Sequence, residues 1–278
     1  MIGGAIIVHG TKRLFALLNM IMLLTASVLP GCSLLNNSRF ESPVDYLPSL
    51  EKLVVEVVHQ PGAEPFAGDV MRSRRSISLW GVAEKNMEAL FEGRTNTVQV
   101  DVPHSLDEMK EIPALDQDEY TLEEIADLAT EYRTGLCSDS EIHLFIIFLD
   151  GLFNNDGETD DSVIGVSILG TPVIAVFKPV IQSSGFSDEG IVPKYVEQTT
   201  IIHECGHALG LVNNGVPLTS DHHDLEHGSH CTDSDCVMYW SNEGAADLWG
   251  FVTRFLLTND SVVFCEHCLA DVRNYDGG

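Results

Sequence analysis

The sequence predicts an α/β (α+β) fold, a mixed sheet packed on helices with a separate, smaller C-terminal part, and three observations carry that expectation. Two β-branched, apolar runs at 53–59 and 142–149 read as strands. Segments with apolar residues at helical spacing lie between and after them. A turn signal, Gly170-Thr171-Pro172, separates two further apolar runs. With 278 residues and 44% hydrophobic content, the chain can bury one substantial core.

The elements follow in order. Residues 53–59, Leu-Val-Val-Glu-Val-Val-His, form the first expected strand, closed by the turn Gln60-Pro61-Gly62. In 76–91 the residues Ile77, Trp80, Met87, Leu90 and Phe91 recur at helical spacing, and 97–102 is a short strand candidate. Thr121-Leu122-Glu123-Glu124 has the form of a capping box, so a helix is expected from there to about Arg133. The run 142–149 is the expected central strand. Residues 163–169 and 173–180 flank the turn signal and are expected to pair at the edge of the sheet, with a helix over 197–212 soon after. No internal repeat is present.

The N-terminus reads as an export signal. Lys12 and Arg13 precede the apolar stretch 14–29, which ends at Leu29-Pro30-Gly31-Cys32. A spanning helix needs roughly 20 apolar residues and a signal core about 7–15, so the stretch fits export better. Leu-x-Gly-Cys resembles the lipobox of bacterial lipoproteins, which implies a signal peptide over 1–31 and lipid on Cys32. A polar, Pro-punctuated tether over 32–48 and a folded domain over 49–278 would follow, divided into 49–212 and an insertion with C-terminal part over 213–278. The expected location is the cell envelope, anchored to a membrane. The net charge of −27, from 42 acidic and 15 basic residues, speaks against nucleic acid as a partner, since only Arg72-Ser73-Arg74-Arg75 forms a basic cluster.

The chemistry concentrates in His203-Glu204-Cys205-Gly206-His207. On a helix His203 and His207 stand one turn apart on one face, so two imidazoles can grip one ion. Glu204, beside the first ligand, is placed to take a proton from water activated by that ion. Zinc suits both tasks, because it binds imidazole and acidifies water. Gly210, three residues on, can adopt the left-handed conformation that ends a helix.

The segment His203-Glu204-Cys205-Gly206-His207-Ala208-Leu209-Gly210 resembles the start of the metzincin consensus. That family places a third His three residues after the Gly; here Asn213 stands there, a poor zinc ligand. Further on, His230-Cys231, Cys236, Met238 and then Cys265-Glu266-His267-Cys268 resemble the archaemetzincin tail, in the same order. The likeness covers 201–268. It departs in two places: 19 residues separate Gly210 from His230 where that family has two, and the gap from Met238 to Cys265 is longer. The resemblance implies a metzincin-like mixed twisted sheet on an active-site helix, with a smaller C-terminal subdomain. It also implies a zinc metalloendopeptidase acting on a peptide or protein, with one catalytic zinc and room for a second, structural one. His230 would be the third ligand after an insertion over 213–229, with His222 the runner-up. Met238 would lie beneath the metal. A tyrosine found two residues after the methionine in some metzincins is Trp240 here, so Tyr239 is not assigned a catalytic role.

Cys231, Cys236, Cys265 and Cys268 fall into two close pairs, which suits a tetrahedral thiolate zinc site. Disulfides are the alternative, because an exported chain meets an oxidising compartment. Cys205 reads as a small buried hydrophobe, and Cys137 has no evident partner. The acidic stretch with Asp150, Asp156, Glu158, Asp160 and Asp161 fails the EF-hand pattern, so a solvated loop is expected rather than calcium. Two competing functions remain. One is a non-catalytic, zinc-capturing envelope lipoprotein using 221–230; the other is a structural module held by the cysteines alone, which leaves Glu204 unexplained.

Overall fold

The computed structural model describes residues 39–72, 75–155, 157–183, 190–240, 252 and 262–277. The signal segment and Cys32 lie outside the described residues. Among the described residues, no helix is long and apolar enough to cross a membrane.

Strand β1 (Lys52–His59) is followed by the hairpin β2 (Asp69–Arg72) and β3 (Arg75–Ser78), then helix α1 (Trp80–Phe91). The expected helix over 76–91 therefore begins later, because 75–78 pairs antiparallel with 69–72. Short strands β4 (Gln99–Asp101), β5 (Lys110–Glu111) and β6 (Glu119–Tyr120) lead to helix α2 (Leu122–Tyr132). The capping box forms as expected: the Thr121 hydroxyl accepts from Glu124 N–H at 3.3 Å, and Thr121 N–H donates back to Glu124 Oε2 at 2.8 Å.

Strand β7 (Glu141–Leu149) is central, parallel to β1 on one side. Its residues Leu144 to Leu149 are all fully buried, which explains why the run does not alternate: a strand covered on both faces needs apolar side chains on both. After the hairpin β8 (Leu152–Asn155) and β9 (Glu158–Asp160) come β10 (Gly165–Ser167) and β11 (Val173–Phe177), paired antiparallel. The sheet order is β10-β11-β7-β1-β4, with β5 also pairing along β1. Every pairing in it is parallel except that of β10, so the sheet is mixed as expected. Of the pair expected at the edge, only β10 lies there, with β4 at the opposite edge. Residues 173–177 are internal, between β10 and β7, and 178–183 leave the sheet as helix α3 (Lys178–Ser183).

Helix α4 (Ile191–Ala208) lies on β10 and β11 and packs beside α1. It starts six residues before the expected 197, since Pro193 falls in the first turn, where its missing N–H goes unmissed. It also ends before the expected 212. Gly210 takes a φ of +83°, and its N–H donates to His207 O at 3.0 Å. The two-residue strands β12 (His223–Asp224) and β13 (His230–Cys231) pair antiparallel, and helix α5 (Glu266–Arg273) packs on α1.

Residues 43–48, expected in the tether, instead belong to the fold. Pro43–Ser49 forms a 3-10 helix whose Val44 and Leu47 are buried, and Arg39 pairs with Glu123 and Asp127. Val44 reaches the turn after α4, where its Cγ2 would lie 2.5 Å from a Cβ at position 210. The polar, Pro-punctuated composition of 33–48 suggests a tether; Val44 and Leu47, between Pro43 and Pro48, supply packing instead.

Candidate metal centre

Helix α4 carries His203 and His207 on one face, and β13 brings His230 to the same point. Their ligand atoms, one per residue, all lie within 4.8 Å of one another. His203 Nε2 is 3.0 Å from His207 Nε2, and the ring centroids of His203 and His207 are 5.4 Å and 4.9 Å from that of His230. Asn213 takes no part. It stands in a left-handed turn with φ +61°, while the neighbouring Asn214 side chain donates to His207 O at 2.9 Å and closes the helix end.

The rings are oriented by main-chain carbonyls. His203 Nδ1 donates to Val237 O at 2.7 Å, and His230 Nδ1 donates to His227 O. A carbonyl can only accept, so Nδ1 carries the hydrogen and Nε2 is the nitrogen that would ligate a metal. Burial, reinforced by His203 and His230, holds the His207 pKa well below the ordinary imidazole value, and the neutral form is the one that binds a metal. Tetrahedral zinc with Zn–N near 2.05 Å sets its nitrogens about 3.3 Å apart, close to the spacing seen. The donor set fits zinc.

Glu204 is 4% exposed and follows His203 on the helix. Its Cγ would stand 3.2 Å from a Cβ at Gly165, and Thr200 Cγ2 would stand 2.7 Å from it, so the glycine lets β10 run close against this face of α4. Met238 is fully buried under the helix. A Cβ at Gly206 would lie 2.4 Å from Met238 Sδ, which ties the glycine within the histidine motif to the methionine expected beneath the site.

The four cysteines form a second centre. Cys231, Cys236, Cys265 and Cys268 bring their sulfurs within 4.8 Å of one another, with Cys231 to Cys265 at 3.7 Å and Cys236 to Cys268 at 3.6 Å. None is bridged. A disulfide needs about 2.05 Å, whereas tetrahedral Zn–S bonds near 2.3 Å set sulfurs about 3.8 Å apart, so the spacing is that of a thiolate metal site. A hydrogen bond from Cys236 draws the Cys231 thiol down to about 7, while burial pushes Cys236 up. Without a cation the cluster cannot hold four thiolates; with one it can. Backbone N–H groups of Asp233 and Cys265 donate to Cys231 Sγ at 3.4 Å and Cys236 Sγ at 3.3 Å.

His222, the runner-up for the imidazole site, belongs to the thiolate site instead. Its Nδ1 is 3.4 Å from Cys231 Sγ and its Nε2 is 2.7 Å from Asp271 Oδ2. Sequence reasoning missed Asp271, although its place three residues after Cys268 on a helix was a usable signal. Cys205 is a buried hydrophobe as expected, its thiol pushed far up by burial. Cys137 lies 3.9 Å from Arg133 Nη2. The acidic stretch folds into the β8–β9 hairpin, where Asp160 Oδ1 accepts from Ser162 N–H at 2.9 Å; Asp156 lies outside the described residues. Among the described residues, no metal-ligating cluster forms there.

The structural neighbours include two archaemetzincins and a zinc-dependent peptidase. Archaemetzincin from Methanopyrus kandleri aligns at 16% identity and TM-score 0.41, covering 81% of this chain and 94% of that one. A zinc-dependent peptidase from Methanocorpusculum labreanum aligns at 13% identity and TM-score 0.43, covering 78% and 99%. Archaemetzincin from Archaeoglobus fulgidus, complexed with malonate, aligns at 13% and 0.37, covering 79% and 99%. No protein-family model and no curated protein matches the sequence.

Proposed function

We propose that this chain is a zinc-dependent peptidase working outside the cytoplasm, held to a membrane by lipid on Cys32. One observation carries the hydrolytic reading: His203, His207 and His230 converge on one point, with the Glu204 carboxyl on the adjacent residue of the same helix. Zinc bound there supplies Lewis acidity that acidifies water and polarises a carbonyl. His203, His207 and His230 would hold the zinc, and three protein ligands would leave room for water or substrate, as catalytic zinc sites do.

This chain's own groups then have defined tasks. Glu204 accepts a proton from the attacking water at a carboxylate oxygen and returns it to the leaving amine. The Val237 and His227 carbonyls keep both imidazoles in the ligating tautomer. An extended peptide substrate can add as a strand to the outer edge of β10, since β10 ends the sheet and Gly165 lies against Glu204. On this reading the peptide-aligning edge is 165–167, since 173–177 is internal to the sheet.

Zinc capture by 221–230 is the weaker reading, because its histidines are engaged. His222 bonds to Asp271, His223 Nε2 donates to Gly228 O at 2.7 Å, and His227 pairs with Asp224 and stacks on Trp240 at 4.2 Å.

The test is digestion of a peptide library by the purified protein and by Glu204→Gln. The variant is expected to keep its zinc and lose about 10²–10⁴-fold in cleavage rate; full activity in the variant would remove Glu204 from the chemistry. Anchoring is tested separately by Cys32→Ser, which is expected to move the protein from the membrane fraction to the soluble one. Unchanged membrane association would contradict lipidation.

A further inference from the structure

The segment 213–229 is tied to the cysteine centre by a buried polar pair, His222 within it and Asp271 on α5. His222 is 2% exposed and Asp271 1%. Asp271 stands on α5 one turn after Cys268, and its Oδ2 meets His222 Nε2 at 2.7 Å. The other oxygen, Oδ1, accepts from Thr219 N–H and from Thr219 Oγ1, both at 2.7 Å. The far side of the ring faces sulfur: Nδ1 is 3.4 Å from Cys231 Sγ and 4.0 Å from Cys268 Sγ. The main chain locks the same residue, since His222 O accepts from Thr232 N–H at 2.9 Å and His223 pairs with Cys231.

We propose that His222, held by Asp271, is a positioning residue of the four-cysteine metal site, donating from Nδ1 to the Cys231 and Cys268 sulfurs and making the insertion a clamp on the bound ion. This rests on the cysteines holding a metal. The donor direction follows from that: a metal-bound thiolate and a carboxylate only accept, so both ring nitrogens carry hydrogen. Asp271 fixes the ring's orientation from behind, the outer-shell arrangement that tunes metal sites. Because Cys231 follows His230 directly, the clamp also steadies the segment that delivers the third imidazole.

The experiment uses the full chain, native and as His222→Phe and Asp271→Asn, loaded with zinc or with cobalt. Measured are metal equivalents, the rate of zinc transfer to a chromogenic chelator, and the thiolate-to-cobalt charge-transfer bands, with circular dichroism to confirm folding. Native protein is expected to bind one ion with four-thiolate charge-transfer intensity and a second without it. His222→Phe should release the thiolate-bound zinc about 10–100-fold faster and shift the charge-transfer bands, with Asp271→Asn showing a smaller effect of the same sign. A folded variant with release within twofold of native and unmoved bands overturns the proposal. So does three-thiolate intensity in the native protein, which would make His222 a ligand. Native protein with no thiolate-bound metal overturns the metal reading of the cysteines itself, a result distinct from the other two.

Discussion

Gly206 stands where any side chain would collide with the floor of the site. A Cβ there would meet Met238 Sδ at 2.4 Å and Phe264 Cε1 at 3.3 Å, and both residues are buried with little room to move. Gly206→Ala is therefore expected to cost about 1–3 kcal/mol as an overpacking change, read as a lower urea midpoint, with zinc affinity falling because the helix turn between the two ligands shifts. An unchanged midpoint would mean that Met238 relaxes freely. At this scale much of the centre was legible. The one-turn spacing of His203 and His207, the carboxylate beside them and the paired cysteines are properties of side-chain identity and period. The carbonyls of Val237 and His227 were not legible, because every residue carries a carbonyl and only the fold decides which one faces a ring. His222 was legible as a ligand-type residue but not as to which centre it served, since a 19-residue excursion leaves its landing point open.

Helix α4 is fixed at its N-terminal half by a buried ion pair. Lys178, at the start of α3, pairs with Glu197, and their side chains are 3% and 0% exposed. Glu197 Oε1 also accepts from Phe66 N–H at 2.7 Å, and Lys178 Nζ lies 3.5 Å from the Phe66 ring centroid. Glu197 precedes Glu204 by seven residues, two turns along the same face, so this pair sets the helix that presents the motif. Lys178→Met would leave a carboxylate buried without its cation and is expected to destabilise by about 3–5 kcal/mol. The double variant Lys178→Met, Glu197→Gln should recover much of that loss, and a denaturant series on the three proteins measures it. A single variant as stable as native would contradict the role given to the pair. Element boundaries show where local reading fails. Periodicity found α4 but not its first turn, which holds Pro193, and a run of apolar residues at 173–180 looked like one strand although only the lattice of neighbours decides where a strand stops and which strand is last. The segment 43–48 was misread for a related reason: Pro43 and Pro48 bracket it like a linker, while Val44 and Leu47 between them carry its packing.

Across the whole molecule, the two centres are joined by a single peptide bond. His230 turns to the imidazole site and Cys231 to the thiolate site, both from the two-residue strand β13. The sheet carries α4 against β10 and β11, the C-terminal helix α5 supplies Cys268 and Asp271, and His222 links α5 to Cys231. Binding of an ion at either centre stabilises the folded state by mass action, so metal removal should lower the melting temperature. The central claim is that three imidazoles from two distant segments hold one ion. Anomalous diffraction at the zinc edge tests it most directly. The expected map has one peak at about 2.0–2.1 Å from nitrogens of His203, His207 and His230, and a second among the four sulfurs. A zinc-loaded crystal with no peak between those three rings, or with His222 in the place of His230, would contradict it.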